Sequence, residues 1–125
     1  MAAAKRSVCL SNVKQLITSS LVYASDTDDR FPLKDSWNDT TREFRNPAYT
    51  IRCPLLPETD FGYAFNAALS GTKPPKMPEK VPLNFESTRP GSNPSDTFTS
   101  LPRPGRHDGK NSIGYADGHA KSVGF

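Results

Sequence analysis

The stretch "AKRSVCLSNVKQLITSSLVYAS", residues 4–25, decides the fold. Its apolar residues recur at Cys9 and Leu10, Val13, Leu16 and Ile17, Leu21, then Tyr23 and Ala24. Steps of three and four lay one apolar stripe along a helix. Lys5, Arg6, Asn12, Lys14, Gln15 and Ser19 fall largely on the other side, and no Gly or Pro interrupts the run. The spacing predicts an amphipathic helix over 4–25. It stops near Ser25, because the short polar side chains of "SDTDDRFP" compete for the backbone and a proline follows. Asp26, Asp28 and Asp29 read as a solvated loop, since the glycine and the bidentate Glu of a calcium loop are missing.

One helix has to lie on something, and the rest of the chain supplies short strands. "AYTIRCP" (48–54) alternates enough for a short extended segment ended by Pro54. In "FGYAFNAALSG" (61–71), Phe61, Tyr63 and Phe65 share one side of an extended chain that then turns. Residues 72–105 hold eight of the twelve prolines, which confines any strand there to 81–87, with Pro82 near its start or at a sheet edge. Toward the C-terminus, "NSIGYADGHAKSVGF" (111–125) has Asp117–Gly118 where a two-residue hairpin turn with positive φ would sit. That turn pairs Ala116 with His119, Tyr115 with Ala120 and Ile113 with Ser122. Ile113, Tyr115 and Ala120 then form the face covering the helix, and Gly114, His119 and Lys121 look to water. The pattern predicts an α+β domain over 1–125: helix 4–25, a loop-rich middle over 26–105 and a hairpin over 106–125, with a small antiparallel sheet.

The totals agree with one small domain. At 125 residues, with 34% hydrophobic and 23% charged residues, the chain has room for one thin core. A net charge of +3, spread with no basic run, argues against nucleic-acid binding. No eighteen-residue apolar stretch and no secretory signal is present as written.

Four blocks in register carry a family resemblance. "CLSNVKQLITSSLVYASDTDDRFP" resembles the segment just after the transmembrane part of bacterial prepilin-like proteins. "CP" at Cys53–Pro54 and "FGYAFNAALSG" resemble their middle blocks, and "RHDGKNSIGYADGHAKSV" resembles their C-terminal H-X9-DG motif, with His107, nine residues, then Asp117–Gly118. The resemblance implies a pilin-like fold. It also implies a structural pilin or pseudopilin subunit of a type IV pilus-like or type II secretion-like filament, outside the cytoplasm at the cell surface or in the periplasm. Its partners would be like or unlike subunits, and its precursor would be membrane-inserted through a helix that this sequence lacks. No cofactor and no enzymatic activity are expected. The alternative is a monomeric extracytoplasmic head for adhesion or ligand binding, with a bound cation.

Candidate chemistry is sparse. His107, Asp117 and His119 are the ligand types that suit a transition metal, though at loose spacing. A tight turn at Asp117 and an anchoring role for His107 account for them without a metal. Ser112 lies near His107 and His119, but no nucleophile-elbow pattern surrounds it. Glu43, Glu58, Glu79 and Glu86 occupy four separate polar contexts with no sign of burial. Cys9 and Cys53 suit either a disulfide in an extracytoplasmic head or two buried reduced thiols. Trp37, Phe44 and Tyr49 are the candidates for a partner surface.

Overall fold

The computed structural model describes residues 2–48, 51–57 and 61–125. Helix α1 spans Ala2–Asp26 and is followed by a short helix, α2 (Trp37–Thr41). The strands are β1 (Tyr63–Asn66), β2 (Pro82–Glu86), β3 (Ser95–Asp96), β4 (Lys110–Tyr115) and β5 (Ala120–Gly124). The fold is therefore α+β, and α1 has the extent its periodicity predicts to within two residues. Among the described residues, no helix is long and apolar enough to cross a membrane.

The five strands form one sheet in the order β3-β1-β2-β4-β5. The sheet is mixed, because β3 runs parallel to β1 while the other neighbours are antiparallel. The wholly antiparallel expectation fails at this edge. The chain leaves β1, forms β2 and runs through residues 87–94 before returning along the free side of β1, and that route reverses its direction. Pro82 opens β2, the one place where a central strand accommodates a residue without an N–H. No strand forms over Ile51–Pro54, where the Cys53 N–H bonds the Phe61 carbonyl at 3.1 Å outside any ladder.

Helix α1 lies on one face of the sheet. Cys9, Val13, Leu16 and Ile17 pack against Tyr63, Phe65, Leu83 and Ala116. Asn12 and Ser19, expected on the wet side, are buried as well, because polar partners meet them there. The Asn12 amide donates to the Arg52 carbonyl at 2.9 Å and to the Tyr63 hydroxyl at 3.1 Å, and the Ser19 hydroxyl accepts from Arg45 at 3.2 Å. The opposite face is not wet. Ala64, Phe85, Leu101 and Ile113 form a second buried cluster, closed by Phe98, Val123 and Phe125. Phe98 meets Phe85 edge-on at 5.0 Å and Phe125 at 6.2 Å, so the loop after β3 and the last residue roof this side.

The C-terminal hairpin departs from its predicted register by one residue. Gly114 pairs with Ala120, Ile113 with Lys121 and Ser112 with Ser122. The loop is Ala116-Asp117-Gly118, with only Gly118 at positive φ and the Tyr115 N–H bonded to the His119 carbonyl at 2.8 Å. A three-residue loop of this kind shifts pairing by one residue, which turns the side chains of β4 to the other face while Ala120 stays on the helix side as expected. Ile113 and Tyr115 accordingly join the second cluster, and Gly114 faces the helix. The two-residue turn with both central residues at positive φ occurs instead at Asp108–Gly109, where His107 and Lys110 exchange backbone hydrogen bonds of 2.9 and 3.1 Å.

Gly114 sets the distance between layers: a Cβ there would stand 2.5 Å from Ile17 Cγ2 and 2.8 Å from Val13 Cγ1. Gly114→Ala is expected to lower stability by about 1–3 kcal/mol through overpacking. Gly124→Ala, where a Cβ meets nothing within 4 Å, should stay within about 0.5 kcal/mol. Urea unfolding of both variants checks the contrast.

Asp96 offers a pH test. Burial pushes its carboxyl upward, but hydrogen bonds from Ser100, the Thr99 N–H and Arg89 outweigh that and hold it below the ordinary value. A depressed carboxyl stabilises the fold above the unfolded value of about 3.9 and loses that contribution as pH falls through its folded value. Asp96→Asn should therefore flatten the acid limb of the stability profile below about pH 4. The effect should be small, since Arg89 is half exposed.

Candidate functional site

Four side chains from four separate segments converge beneath α1. Cys9 comes from the second turn of the described helix, Cys53 from the irregular chain before β1, Glu86 from the end of β2, and His107 from the tight turn before β4. All four are buried, and one donor atom from each lies within 4.8 Å of all the others. The two sulfurs are 2.9 Å apart. Cys53 Sγ lies 3.7 Å from Glu86 Oε1 and 4.0 Å from His107 Nε2, and His107 Nε2 is 2.8 Å from the same carboxylate oxygen.

Local structure explains how each arrives. Cys9 heads the stripe that continues through Val13, Leu16 and Ile17, so the same periodicity that buries the helix buries this thiol. Glu86 pairs with Tyr63 across β1 and β2 and therefore points to the helix side. His107 is turned inward by the Asp108–Gly109 turn, whose positive φ values fold the chain back within four residues.

The carboxylate is held on all sides. The Ser112 N–H donates to Glu86 Oε2 at 2.5 Å, and the Arg106 guanidinium lies 3.4 Å from Oε1. Arg106 also donates to the Gly62 carbonyl at 3.2 Å and the Ser87 carbonyl at 2.8 Å, so it is locked over the cluster. The sulfurs respond to this environment. The hydrogen bond with Cys9 is the main cause that lowers the Cys53 thiol against its burial, with the Leu55 backbone and Arg106 helping. The Cys9 thiol is raised by the same shared bond, by burial and by the Glu86 charge. Two sulfurs this close, with a carboxylate and an imidazole against them, can close a disulfide or take up a soft cation.

The other predicted positions lie elsewhere. Asp117 and His119 meet at the exposed hairpin loop, with Asp117 Oδ1 2.5 Å from His119 Nδ1, and the ring of His119 stacks on Tyr115 at 4.4 Å. His107 does not join them, because its turn carries it into the core, so His107, Asp117 and His119 form no common ligand set. Ser112 makes no triad either, since its hydroxyl is buried with no partner among the described residues. Trp37 is core rather than surface: its indole N–H donates to the Pro94 carbonyl at 2.8 Å and its ring stacks on Phe65. Phe44 is half-buried, edge-on to Tyr23, and Tyr49 lies outside the described residues. Cys9 and Cys53 are brought together, as their pairing requires.

Glu86 is the member that sequence reasoning missed, because "NFEST" places it among polar neighbours and its strand is buried on both faces, leaving no alternation to mark the inner side.

A cleft of about 330 Å³ opens beside the cluster, lined in part by Leu56, Phe61, Gly62, Ser87 and Arg106. Arg106 thus separates solvent from Glu86. No family model, no curated protein and no solved structure matches the chain.

Removing one partner of a buried charge pair leaves the other uncompensated. Arg106→Gln is expected to cost about 3 kcal/mol in urea unfolding. Pairing it with Glu86→Gln should cost clearly less than the sum of the two single changes.

Proposed function

We propose that this chain is the head domain of a pilin-like or pseudopilin-like filament subunit with a structural, non-catalytic role outside the cytoplasm. The observation that supports this reading most directly is how α1 is used. From Cys9 to Ala24 the helix is packed on the sheet, whereas Ala4, Lys5, Ser7 and Val8 are exposed. The start of the described helix thus presents an exposed face that is free to pack on another helix. The order of blocks along the chain, from "CLSNVKQ" to the H-X9-DG segment, supports the same reading. A second reading, a monomeric head that binds a ligand, has the cleft beside Arg106 in its favour.

The test follows the native gene product in its own cells. Filaments sheared from the surface should contain the head, detected by antibody, as the mature form of a longer precursor. Val8→Asp together with Lys5→Glu, on the exposed part of α1, should remove it from filaments while shifting stability by no more than about 0.5 kcal/mol. Recovery only as a freely diffusing extracytoplasmic monomer would favour the second reading, and recovery only from the cytoplasm would overturn both.

A further inference from the structure

We propose that Cys9, Cys53, Glu86 and His107 form a structural zinc site. The donor set is two sulfurs, one imidazole nitrogen and one carboxylate oxygen, all chemistries that zinc accepts in a four-coordinate shell. All four residues are buried, leaving no solvent-facing position, which is the mark of a structural rather than a catalytic site.

The decisive point is why a carboxylate and an imidazole are there at all. A disulfide between Cys9 and Cys53 would need only apolar neighbours, and burying the Glu86 carboxylate beside it is unfavourable before any pairing. A shared cation gives the two sulfurs, Glu86 and His107 a common purpose. Charge closes as well: zinc with two thiolates and Glu86 carries one net negative charge, which the Arg106 guanidinium 3.4 Å from Glu86 neutralises. Arg106 and the Ser112 N–H orient the carboxylate, in the manner of outer-shell partners that fix metal ligands.

Geometry sets the movement required. With Zn–S near 2.3 Å, two sulfurs on one tetrahedral ion stand roughly 3.8 Å apart. The 2.9 Å pair must therefore open by roughly 1 Å. Cys53 lies in irregular chain outside the sheet and can supply that shift, while Cys9 is fixed on α1. Such an ion would tie the helix, the middle loop, β2 and the segment before β4 into one unit, which suits a domain with a thin core.

The inference stands apart from the filament reading, because its test uses purified protein alone. The reduced, metal-free chain is titrated with Zn²⁺, and with Co²⁺ as a spectroscopic probe. The expected result is one zinc per chain by native mass spectrometry, both thiols shielded from alkylation until a chelator is added, and a thiolate-to-cobalt charge-transfer band with tetrahedral cobalt absorption. Arg106→Gln should weaken binding by about 10–100-fold, and His107→Ala by more. His107→Cys, which restores a ligand, should recover cobalt binding with a stronger charge-transfer band even where the alanine variant folds poorly. The exposed Asp117→Asn, His119→Ala double variant should bind as the parent does. Binding no tighter than that of the urea-unfolded chain would overturn the proposal. So would isolation of the protein from its own cells 2 Da lighter than its reduced mass, with both thiols blocked until reduction, since that is a disulfide.

Discussion

Glu86 is wholly withdrawn from water at the end of a central strand, and much of the molecule is arranged around keeping its charge there. Arg106 reaches it while holding the Gly62 and Ser87 carbonyls, the Ser112 N–H comes from β4, and His107 arrives through a turn built for the purpose. These contacts join the approach to β1, the end of β2 and the start of β4 at one point. A buried carboxylate left with fewer partners would destabilise the fold, so segments distant in sequence are committed to the same small volume. The two cysteines complete that volume from the helix side.

The second constraint is the close contact between α1 and β4. Gly114 lets Ile17 and Val13 descend onto the sheet, and the packed layer runs along the helix from Cys9 to Ala24. The thin core expected from the polar composition is compensated in two ways. Polar side chains such as Asn12 and Ser19 enter it with hydrogen-bond partners, and the far face of the sheet acquires a roof from Phe98, Leu101 and Phe125. A chain with few apolar residues thus buries both faces of its sheet by using loops as a third layer.

The two Asp-Gly pairs near the C-terminus show why function was harder to read than fold. They are equivalent as local signals, since either can supply residues tolerant of positive φ. Only the first makes the two-residue turn, and its consequence is the inward aim of His107. The second lies in a three-residue loop, which moves the register by one and exchanges the faces of Ile113 and Gly114. Asp117 and His119, which looked like partners for His107, remain with each other at the surface.

By itself the sequence determined the elements governed by local rules. These are the extent of α1 from its 3.6-residue period, its end at the Asp-rich loop, the position of Pro82 at the head of β2, and the existence of a C-terminal hairpin. Tertiary structure alone decided the parallel edge strand, the hairpin register, the burial of Trp37 and Glu86, and the meeting of Cys9, Cys53, Glu86 and His107. The physical reason is the range of the forces involved. Periodicity, turn chemistry and proline act within a few residues. The energy of a buried charge or a donor cluster depends on partners tens of residues away, whose arrival is set by how the layers pack.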